Sequence, residues 1–368
     1  MDLSFLQTPF GILGDFIDAQ PYGSGHINDT YAAVYHQAGR EVRYIHQRIN
    51  DRIFKNVPRL MDNIRRVTAF AQQRLEEEGA ADRSRRSLVL LPGPDGLPFF
   101  KDAEGRYWRT YLFIEGAATY DRAEKPLQAR EAARAFGKFQ ALLARFPGER
   151  LYETIPGFHD TRARYTKLLG ALDADAHNRA SAARKEIDWF RKRESYADVI
   201  VDGLASGEIP ERITHNDTKL NNVMLDDATM EGVCVIDLDT VMPGSALYDF
   251  GDLVRTATNR GEEDTRDPGG TGMDMRMFRA ITEGYLESIG TVLNEREIGL
   301  LAFSGKLITF EIAMRFLTDF LEGDPYFKTH REGHNLDRCR CQMAMVESIE
   351  EQETEMEQVV KERYAECV

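Results

Sequence analysis

One segment of the sequence has the residue types and spacing of a phosphoryl-transfer loop. Residues 214–222 read THNDTKLNN, with Lys219 two positions and Asn222 five positions after Asp217. In the catalytic loop of kinases, an Asp at this spacing orients and deprotonates the hydroxyl that accepts the phosphoryl group. The Lys can neutralise charge on that group, and the Asn oxygen can bind a metal that bridges the phosphates. The loop therefore predicts Mg²⁺-dependent phosphoryl transfer from ATP, with Asp217 and Lys219 as catalytic residues and Asn222 as a metal ligand.

A second metal ligand is expected beside Asn222. Residues 223–225 and 233–236 read as the two strands of a hairpin, and Asp237 directly follows the second strand. The start of one antiparallel strand lies beside the end of its partner, so the hairpin brings Asn222 and Asp237 together. These two oxygen ligands are predicted to face one Mg²⁺.

Three further motifs are alternatives to this assignment. Asp239 would share the face of Asp237 in a continuing strand, as a reserve ligand or a support. The literal triplet Asp249-Phe250-Gly251 resembles a metal-binding motif, but it follows a loop-like stretch and no strand delivers it beside the hairpin, so Asp237 is preferred. Ser304-Gly305-Lys306 lacks the glycine spacing and the Ser or Thr of a phosphate-binding P-loop and falls within a helical pattern.

Two glycines near the N-terminus are candidates for contact with the nucleotide phosphates. Gly23 and Gly25 lie in the run YGSGHIN between two β patterns, where backbone amides can approach a phosphate closely, although a plain hairpin turn looks the same. A cation for the α- and β-phosphates is expected on the strand 44–49, where Gln47 stands at the usually basic position. Arg48 is the candidate cation on that strand. Its position is compatible with a phosphate contact and equally with a purely structural role at the surface.

The surrounding patterns predict an α+β protein with the two-lobed, protein-kinase-like fold. Residues 1–115 combine short β patterns with one helical pattern at 56–78, which predicts a small N-terminal nucleotide-binding lobe. Residues 111–116 resemble a strand followed by a hinge, and the backbone from Phe113 to Glu115 would bind the adenine edge. Residues 116–368 are predicted to form a larger, mainly helical catalytic lobe, to which the resemblance described below adds sugar binding. Its helical patterns are 127–146, 182–203, 275–289, 295–320 and 337–366.

Composition and charge argue against several classes of protein. The formal net charge of −14 opposes binding to a nucleic-acid backbone and to anionic membranes. The N-terminus has no basic leader, and no apolar run approaches the ~18 residues that span a bilayer. The four cysteines are few, have no zinc-site spacing and suit a reducing cytosol. A soluble cytoplasmic enzyme is predicted, with its oligomeric state left open.

The motifs also carry a family likeness. The chain resembles the aminoglycoside phosphotransferase-like kinases over nearly its whole length, and most closely the bacterial N-acetylhexosamine 1-kinases among them. The resemblance rests on PYGSGHIN at 21–28, THNDTKLNN at 214–222, VIDLDTVMPGSALYDFGD at 235–252 and MRFLTDFLEGDPYF at 314–327.

The resemblance implies transfer of the ATP γ-phosphate to the anomeric hydroxyl of N-acetylglucosamine or N-acetylgalactosamine. It implies Mg²⁺ as the metal, with Asp217 as the catalytic residue. It also implies that Arg315 and Tyr326 line the sugar pocket, and that His26 points toward either the phosphates or the sugar.

Two other functions stay open on the sequence. The first is a kinase for choline, another amino alcohol or an aminoglycoside, although a cationic acceptor is disfavoured by Arg315 in the acceptor region. The second is a nucleotide-binding pseudokinase scaffold that acts through the acidic C-terminal helix, although such a scaffold needs none of Asp217, Lys219 and Asn222. No motif ranks the two N-acetylhexosamines or identifies the residue that clamps the α- and β-phosphates.

Overall fold

Residues 2–23, 25 and 27–367 are described by a computed structural model of the chain. The chain divides into two compact units. The first contains Met1–Asp121, Leu142–Pro156 and Asn222–Met242, and the second contains Arg122–Ala141, Gly157–Asn221 and Pro243–Val368. The lobe boundary between residues 115 and 116 stays a prediction.

The strands pair mainly within the first unit. In the described part of the chain they are β1 (Asp15–Pro21), β2 (Asp29–Gln37), β3 (Arg40–Arg48), β4 (Phe100–Lys101), β5 (Tyr107–Leu112), β6 (Ala117–Ala118), β7 (Arg212–Thr214), β8 (Val223–Asp226), β9 (Gly232–Val235) and β10 (Met242–Gly244). One sheet of the first unit has the order β1-β2-β3-β5-β4, with every pair antiparallel. A smaller antiparallel sheet has the order β6-β8-β9.

The helices belong mainly to the second unit. In the described residues they are α1 (Val57–Glu77), α2 (Arg83–Arg86), α3 (Pro126–Leu143), α4 (Thr161–Ala174), α5 (Arg184–Arg191), α6 (Val199–Ser206), α7 (Ala246–Ala257), α8 (Met275–Ile289), α9 (Glu295–Leu321) and α10 (His334–Cys367). No helix among the described residues is both long and apolar enough to cross a membrane. The predicted α+β class is confirmed.

The core of the first unit lies against its large sheet. The N-terminal segment contributes Leu6 and Phe10, which pack with Ala33, Tyr35 and Trp108 of the sheet. The helix predicted at 56–78 is confirmed as α1. It begins after Asn56, whose side chain accepts a hydrogen bond from the amide of Arg59 at 3.1 Å and so caps the helix.

The core of the second unit is built around α9, which is buried along most of its length. Helix α10 packs along it, and the shared core is formed by large apolar side chains and one cysteine, among them Phe310, Met314, Leu317, Leu336, Cys339 and Val346. Asn294 caps the start of α9, because its side chain accepts from the Glu297 amide while the Glu297 carboxylate accepts from the Asn294 amide.

Close packing between α7 and α9 explains the glycines of two motifs that resemble a metal site and a phosphate site. These motifs are Asp249-Phe250-Gly251 and Ser304-Gly305-Lys306. A Cβ atom at Gly251 would lie 2.4 Å from the carbonyl oxygen of Ser304, and one at Gly305 would lie 2.6 Å from a methyl group of Val254. Glycine is therefore needed at both contacts. The Lys that follows Gly305 forms a mostly buried ion pair with Glu353 at 2.6 Å. The reading of residues 304–306 as part of a helix is confirmed.

Two local predictions were wrong. The stretch 243–245, expected to be a loop-like neighbourhood for Asp249, instead contains the end of β10. Asp249 lies in helix α7, which begins after Ser245, whose hydroxyl accepts from the Leu247 amide at 3.3 Å. A Ser followed by apolar residues at helix spacing is a start signal that the sequence does contain. The single helix expected at 182–203 is divided into α5 and α6 by a 3₁₀ turn at Glu194–Ala197. The polar run 191–195 has no apolar residue to continue the buried face.

A buried histidine in the large sheet makes stability depend on pH. His46 has no exposed surface, and its ring nitrogens lie 3.0 Å from the Tyr35 hydroxyl and 2.8 Å from the Thr110 hydroxyl. Burial lowers the pKa of His46 from 6.5 to about 4. Between these values the unfolded chain binds more protons than the folded chain, so stability falls as the pH drops from 6.5 to 4, by about 3 kcal/mol from this group.

We expect His46→Gln to remove most of this pH dependence, because Gln can bond both hydroxyls and does not titrate. Urea unfolding at several pH values from 4 to 7 measures the effect. His36→Gln, at an exposed position of β2, is the matched control and should keep the wild-type slope. An unchanged slope in His46→Gln would contradict the assignment.

Candidate active site

The predicted catalytic loop lies in the second unit, after β7. Asn216 has a left-handed backbone with φ 64°, and its side-chain oxygen accepts from the Thr214 hydroxyl at 2.9 Å. Gly244 passes so close that a Cβ atom there would lie 2.3 Å from the same hydroxyl. The loop is therefore held in a defined conformation.

The charge on Asp217 is maintained by its neighbours. Its carboxylate lies 3.1 Å from the ammonium group of Lys219. Burial alone would raise the pKa of Asp217, but Lys219 and other nearby cationic groups outweigh burial and lower it. The carboxylate is therefore ionised at neutral pH, as a group that accepts a proton must be.

Asp249 anchors the loop from α7. Its carboxylate has no exposed surface and accepts hydrogen bonds from the amides of His215 at 2.9 Å and Asn216 at 2.7 Å, and from the side chain of Gln140. Its carbonyl oxygen accepts from the Thr218 hydroxyl at 2.6 Å. Burial raises the pKa of Asp249, and the amides oppose that shift. These bonds give Asp249 a positioning role.

His215 is held between aromatic rings. Its ring lies 5.2 Å from that of Phe136 and 6.2 Å from that of Phe139, both on α3. Its Nδ1 atom accepts from the amide of Asp217 at 3.3 Å. These contacts favour a structural role for His215 in supporting the loop.

The predicted metal ligands lie together in the first unit. Val223 is paired with Val235, and the amide of Ile236 donates to the carbonyl of Asn222 at 2.9 Å, so the chain segments carrying Asn222 and Asp237 are adjacent. Asp237 has a left-handed backbone, with φ 58° and ψ 59°, and begins the 3₁₀ turn Leu238–Thr240.

An amide oxygen and a carboxylate oxygen fit Mg²⁺, which binds through one or two protein oxygens together with water and substrate phosphates. No three His, Cys, Asp or Glu side chains of the described chain form a group that could hold a metal.

The other predicted nucleotide contacts also belong to the first unit. Gly23 has φ +81°, which favours glycine, and Gly25 is exposed. His26 lies outside the described residues. Arg48 lies at the surface, where its Nε atom donates to Asp29 at 2.6 Å, so its side chain has a structural partner. The contact of Arg48 with phosphate stays a prediction.

The predicted hinge is held at both ends. The amide of Phe113 donates to the carbonyl of Arg43 at 3.2 Å, and the Arg43 guanidinium lies 3.8 Å from the Phe113 ring centroid. The Glu115 carboxylate accepts from Arg43, and its carbonyl accepts from Arg85 at 2.9 Å. The contact of the backbone from Phe113 to Glu115 with adenine stays a prediction.

The predicted sugar-pocket residues are neighbours in the second unit. The guanidinium of Arg315 lies 5.5–5.8 Å from the ring centroids of Phe158, Tyr326 and Phe327. Tyr326 is 65% exposed, and its amide donates to Asp319 at 2.9 Å. Arg315 thus lies among three aromatic rings, one of which faces solvent.

A buried pair connects this cluster to the catalytic loop. The Nδ1 atom of His159 lies 3.2 Å from the carboxylate of Glu311, and its Nε2 atom lies 3.2 Å from the carbonyl oxygen of Asn216. Burial alone would raise the pKa of the Glu311 carboxyl, but His159, Arg164 and Arg315 lower it. Glu311 is four residues before Arg315 on α9, so the two side chains share one helix face.

Comparison with known proteins identifies the family. The model of the phosphotransferase enzyme family (APH) matches residues 18–279, which is more than half of the chain. The chain belongs to the phosphotransferase enzyme family.

Solved structures of other proteins share the fold of this family member. An aminoglycoside phosphotransferase from Alicyclobacillus acidocaldarius has a TM-score of 0.61 and 12% identity, over 94% of this chain and 93% of that one. A microcompartment-associated aminopropanol kinase has a TM-score of 0.57 and 15% identity, over 96% and 98%. An ethanolamine kinase from Plasmodium vivax has a TM-score of 0.52 and 13% identity, over 88% and 82%.

Sequence reasoning missed several residues of this phosphotransferase that hold the candidate site in place. Asp249 was read only as a rival metal ligand, and the side chains of His159 and Glu311 were not considered. The spacing of Glu311 and Arg315 was a usable signal for a shared face of α9. The contact of His159 with Glu311 joins residues 152 apart, and no local pattern predicts such a contact.

Proposed function

We propose that this phosphotransferase transfers the γ-phosphate of ATP to the anomeric hydroxyl of an N-acetylhexosamine. The observation that carries the acceptor assignment is Arg315, which lies among aromatic rings four residues after Glu311 on α9. Glu311 contacts His159, which in turn contacts the residue before Asp217. A guanidinium donates hydrogen bonds to hydroxyl and acetamide oxygens, and aromatic rings can cover the apolar face of a sugar. The resemblance of residues 314–327 to N-acetylhexosamine 1-kinases supports the same acceptor.

The charge of the cluster argues against a cationic acceptor. Arg164 and Arg315 both lie near the buried carboxylate of Glu311, and Arg164 approaches it to 3.3 Å. A choline or aminoglycoside ammonium group would meet a guanidinium at the rings that could otherwise bind it. The second candidate class of acceptor consists of amino alcohols and aminoglycosides, the compounds that appear in the names of the structurally similar proteins.

The proposed mechanism assigns one role to each part of the loop. Asp217 orients the acceptor hydroxyl and takes its proton, and Lys219 offsets negative charge near the transferred group. Asn222 and Asp237 would hold Mg²⁺, which when bound neutralises charge on the phosphates. Nucleotide binding is assigned to the glycine turn, defined as residues 22–28 with Gly23 and Gly25, to the hinge backbone from Phe113 to Glu115 and to Arg48.

The test is ³¹P NMR of the purified protein with MgATP and N-acetylglucosamine, repeated with N-acetylgalactosamine. A new anomeric sugar phosphate in either sample supports the proposal. Choline, ethanolamine and kanamycin are run in parallel. If one of these compounds is phosphorylated and neither sugar is, the acceptor is an amino alcohol or an aminoglycoside. If no acceptor supports ATP turnover, a nucleotide-binding scaffold is favoured.

We expect Arg315→Met to raise the KM for the sugar about 10–100-fold, because a charge-assisted hydrogen bond contributes roughly 1.5–3 kcal/mol. The KM for MgATP should stay within twofold. Arg338→Met is the matched control, since Arg338 also lies over an aromatic ring of the second unit, 5.5 Å from the Phe316 centroid. Equal increases in both KM values, or equal effects of the control, would contradict a role in sugar binding.

A further inference from the structure

A buried guanidinium lies beside the strand position where a basic residue was expected and Gln47 stands. Arg109 of β5 is the direct cross-strand partner of Gln47, and its Nε atom donates to the Gln47 side-chain oxygen at 2.8 Å. Arg109 is only 1% exposed. The cation missing from β3 therefore has a counterpart on the next strand of the sheet.

Arg109 is paired with the segment that carries Asp237. Its Nη1 atom donates to the carboxylate of Asp239, which is 3% exposed. Burial opposes the charge on Arg109, but the carboxylates of Asp239 and Asp237 outweigh burial and raise its pKa. Each member of this buried pair needs the other, because removing one partner of a buried ion pair is strongly destabilising.

The second oxygen of Asp239 is also occupied. It accepts from the side chain of Asn28 at 2.6 Å, and the Asn28 side-chain oxygen accepts from the amide of Asn50 at 3.0 Å. Asn28 is the last residue of the glycine turn. Asp239 is thus bonded to the end of that turn and to Arg109, and this arrangement supports a positioning role rather than the reserve-ligand role.

The backbone around Asp239 is fixed as well. Its carbonyl accepts from the Thr154 hydroxyl at 3.0 Å, and the carbonyl of Val241 accepts from the side chain of Asn63 at 3.1 Å. Asp237 needs such support, because a non-glycine residue at φ 58° is uncommon and persists where its surroundings determine it. The ion pair with Arg109 is the charged part of that support.

We propose that Arg109 is a positioning residue for the nucleotide and metal site, acting through Asp239 on both Asp237 and the end of the glycine turn. This inference rests on the proposed ATP-dependent function. It assigns to a cation on β5 the organising role expected of a basic residue on β3. It also accounts for Gln47, which bonds Arg109 on one side and the Thr30 hydroxyl at 2.9 Å on the other.

The test uses MgADP binding by calorimetry without acceptor, the Mg²⁺ concentration for half-maximal rate, and the KM for the acceptor. We expect Arg109→Gln to weaken MgADP binding and to raise the required Mg²⁺ at least tenfold, with the acceptor KM within twofold. Arg109→Lys should recover part of the loss because it restores the charge. The double variant Gln47→Lys/Arg109→Gln should also recover part, because it moves the cation to the neighbouring strand.

Arg106→Gln is the matched control, since Arg106 lies just before β5 and is paired with Asp102 at 2.7 Å rather than with the metal segment. It should leave both nucleotide measurements unchanged. The free energy of unfolding of every variant is measured by urea denaturation. If Arg109→Gln does not fold, Arg109→Lys carries the test, with a weaker loss of MgADP affinity expected than for a neutral residue but a loss above twofold.

Two failures are distinguishable. Absence of MgADP binding by the wild-type protein would overturn the proposed function itself. Wild-type MgADP affinity and Mg²⁺ dependence in folded Arg109→Gln or Arg109→Lys, with only the free energy of unfolding changed, would overturn this inference and leave Arg109 a purely structural residue.

Discussion

Replacing Asp217 with Asn should lower kcat by about 10²–10⁴-fold, the usual contribution of a positioned general base. The amide has the shape of the carboxylate but cannot take the acceptor proton. Lys219, now 3.1 Å from Asp217, would also lose its anionic partner. Steady-state kinetics with the acceptor identified by NMR measures this effect, and MgADP affinity should stay within about threefold.

The pH profile gives an independent check on Asp217. In the proposed mechanism the active form of Asp217 is the carboxylate, and the pKa of Asp217 lies below the ordinary 3.8. Protonation of Asp217 should therefore not reduce the rate between pH 7 and pH 5. A reduction in rate caused by this protonation is expected only below the ordinary pKa of the group. An acid limb centred near neutral pH in the wild-type protein, absent from Asp217→Asn, would contradict the lowered pKa.

Asp202→Asn is the matched control for Asp217→Asn. Asp202 also lies in the second unit and is ion-paired, with Arg162 at 2.5 Å, but it is exposed on α6. This control should keep full turnover. Near-normal kcat in Asp217→Asn, or a loss of MgADP affinity as large as the loss of kcat, would show that the assigned mechanism is wrong.

Replacing Asp237 with Asn should lower kcat/KM for MgATP on the order of 10²-fold and raise the Mg²⁺ concentration for half-maximal rate. Asn adopts the left-handed backbone at least as readily as Asp, so the conformation at φ 58° should be kept. The free energy of unfolding should therefore change little. The main change is the loss of the proposed carboxylate ligand.

Asp249→Asn is the informative comparison, because Asp249 is the rival ligand suggested by the sequence. An amide in its place cannot accept from all the donors at 215, 216 and 140, so at least one buried donor loses its partner. We expect a loss of about 1–3 kcal/mol in the free energy of unfolding and a lower kcat, with the Mg²⁺ requirement unchanged.

The two variants thus differ in the quantity they change. Magnesium titrations of the initial rate and urea denaturation of both proteins separate metal binding from loop positioning. A Mg²⁺ requirement raised by Asp249→Asn and unchanged by Asp237→Asn would reverse the assignment of the metal ligand.

The sequence by itself determined the features that depend on neighbouring residues. Spacing within 214–222 predicts a catalytic loop, the hairpin that follows brings two segments together, and the period of apolar residues predicts helices such as α1 and α8. These patterns succeed because hydrogen bonds in turns, caps and helices join residues close in the chain. The α+β class follows from the order of such elements.

Only the tertiary structure decided which distant side chains support the candidate site. Arg109 and Asp239 are 130 residues apart, and His159 and Glu311 are 152 apart. A buried charge needs a partner, but any oppositely charged residue of the chain could serve, and neither period nor spacing selects one. The choice is made by strand register and helix packing, which place Arg109 beside Gln47 and turn Glu311 toward His159 only in the folded protein.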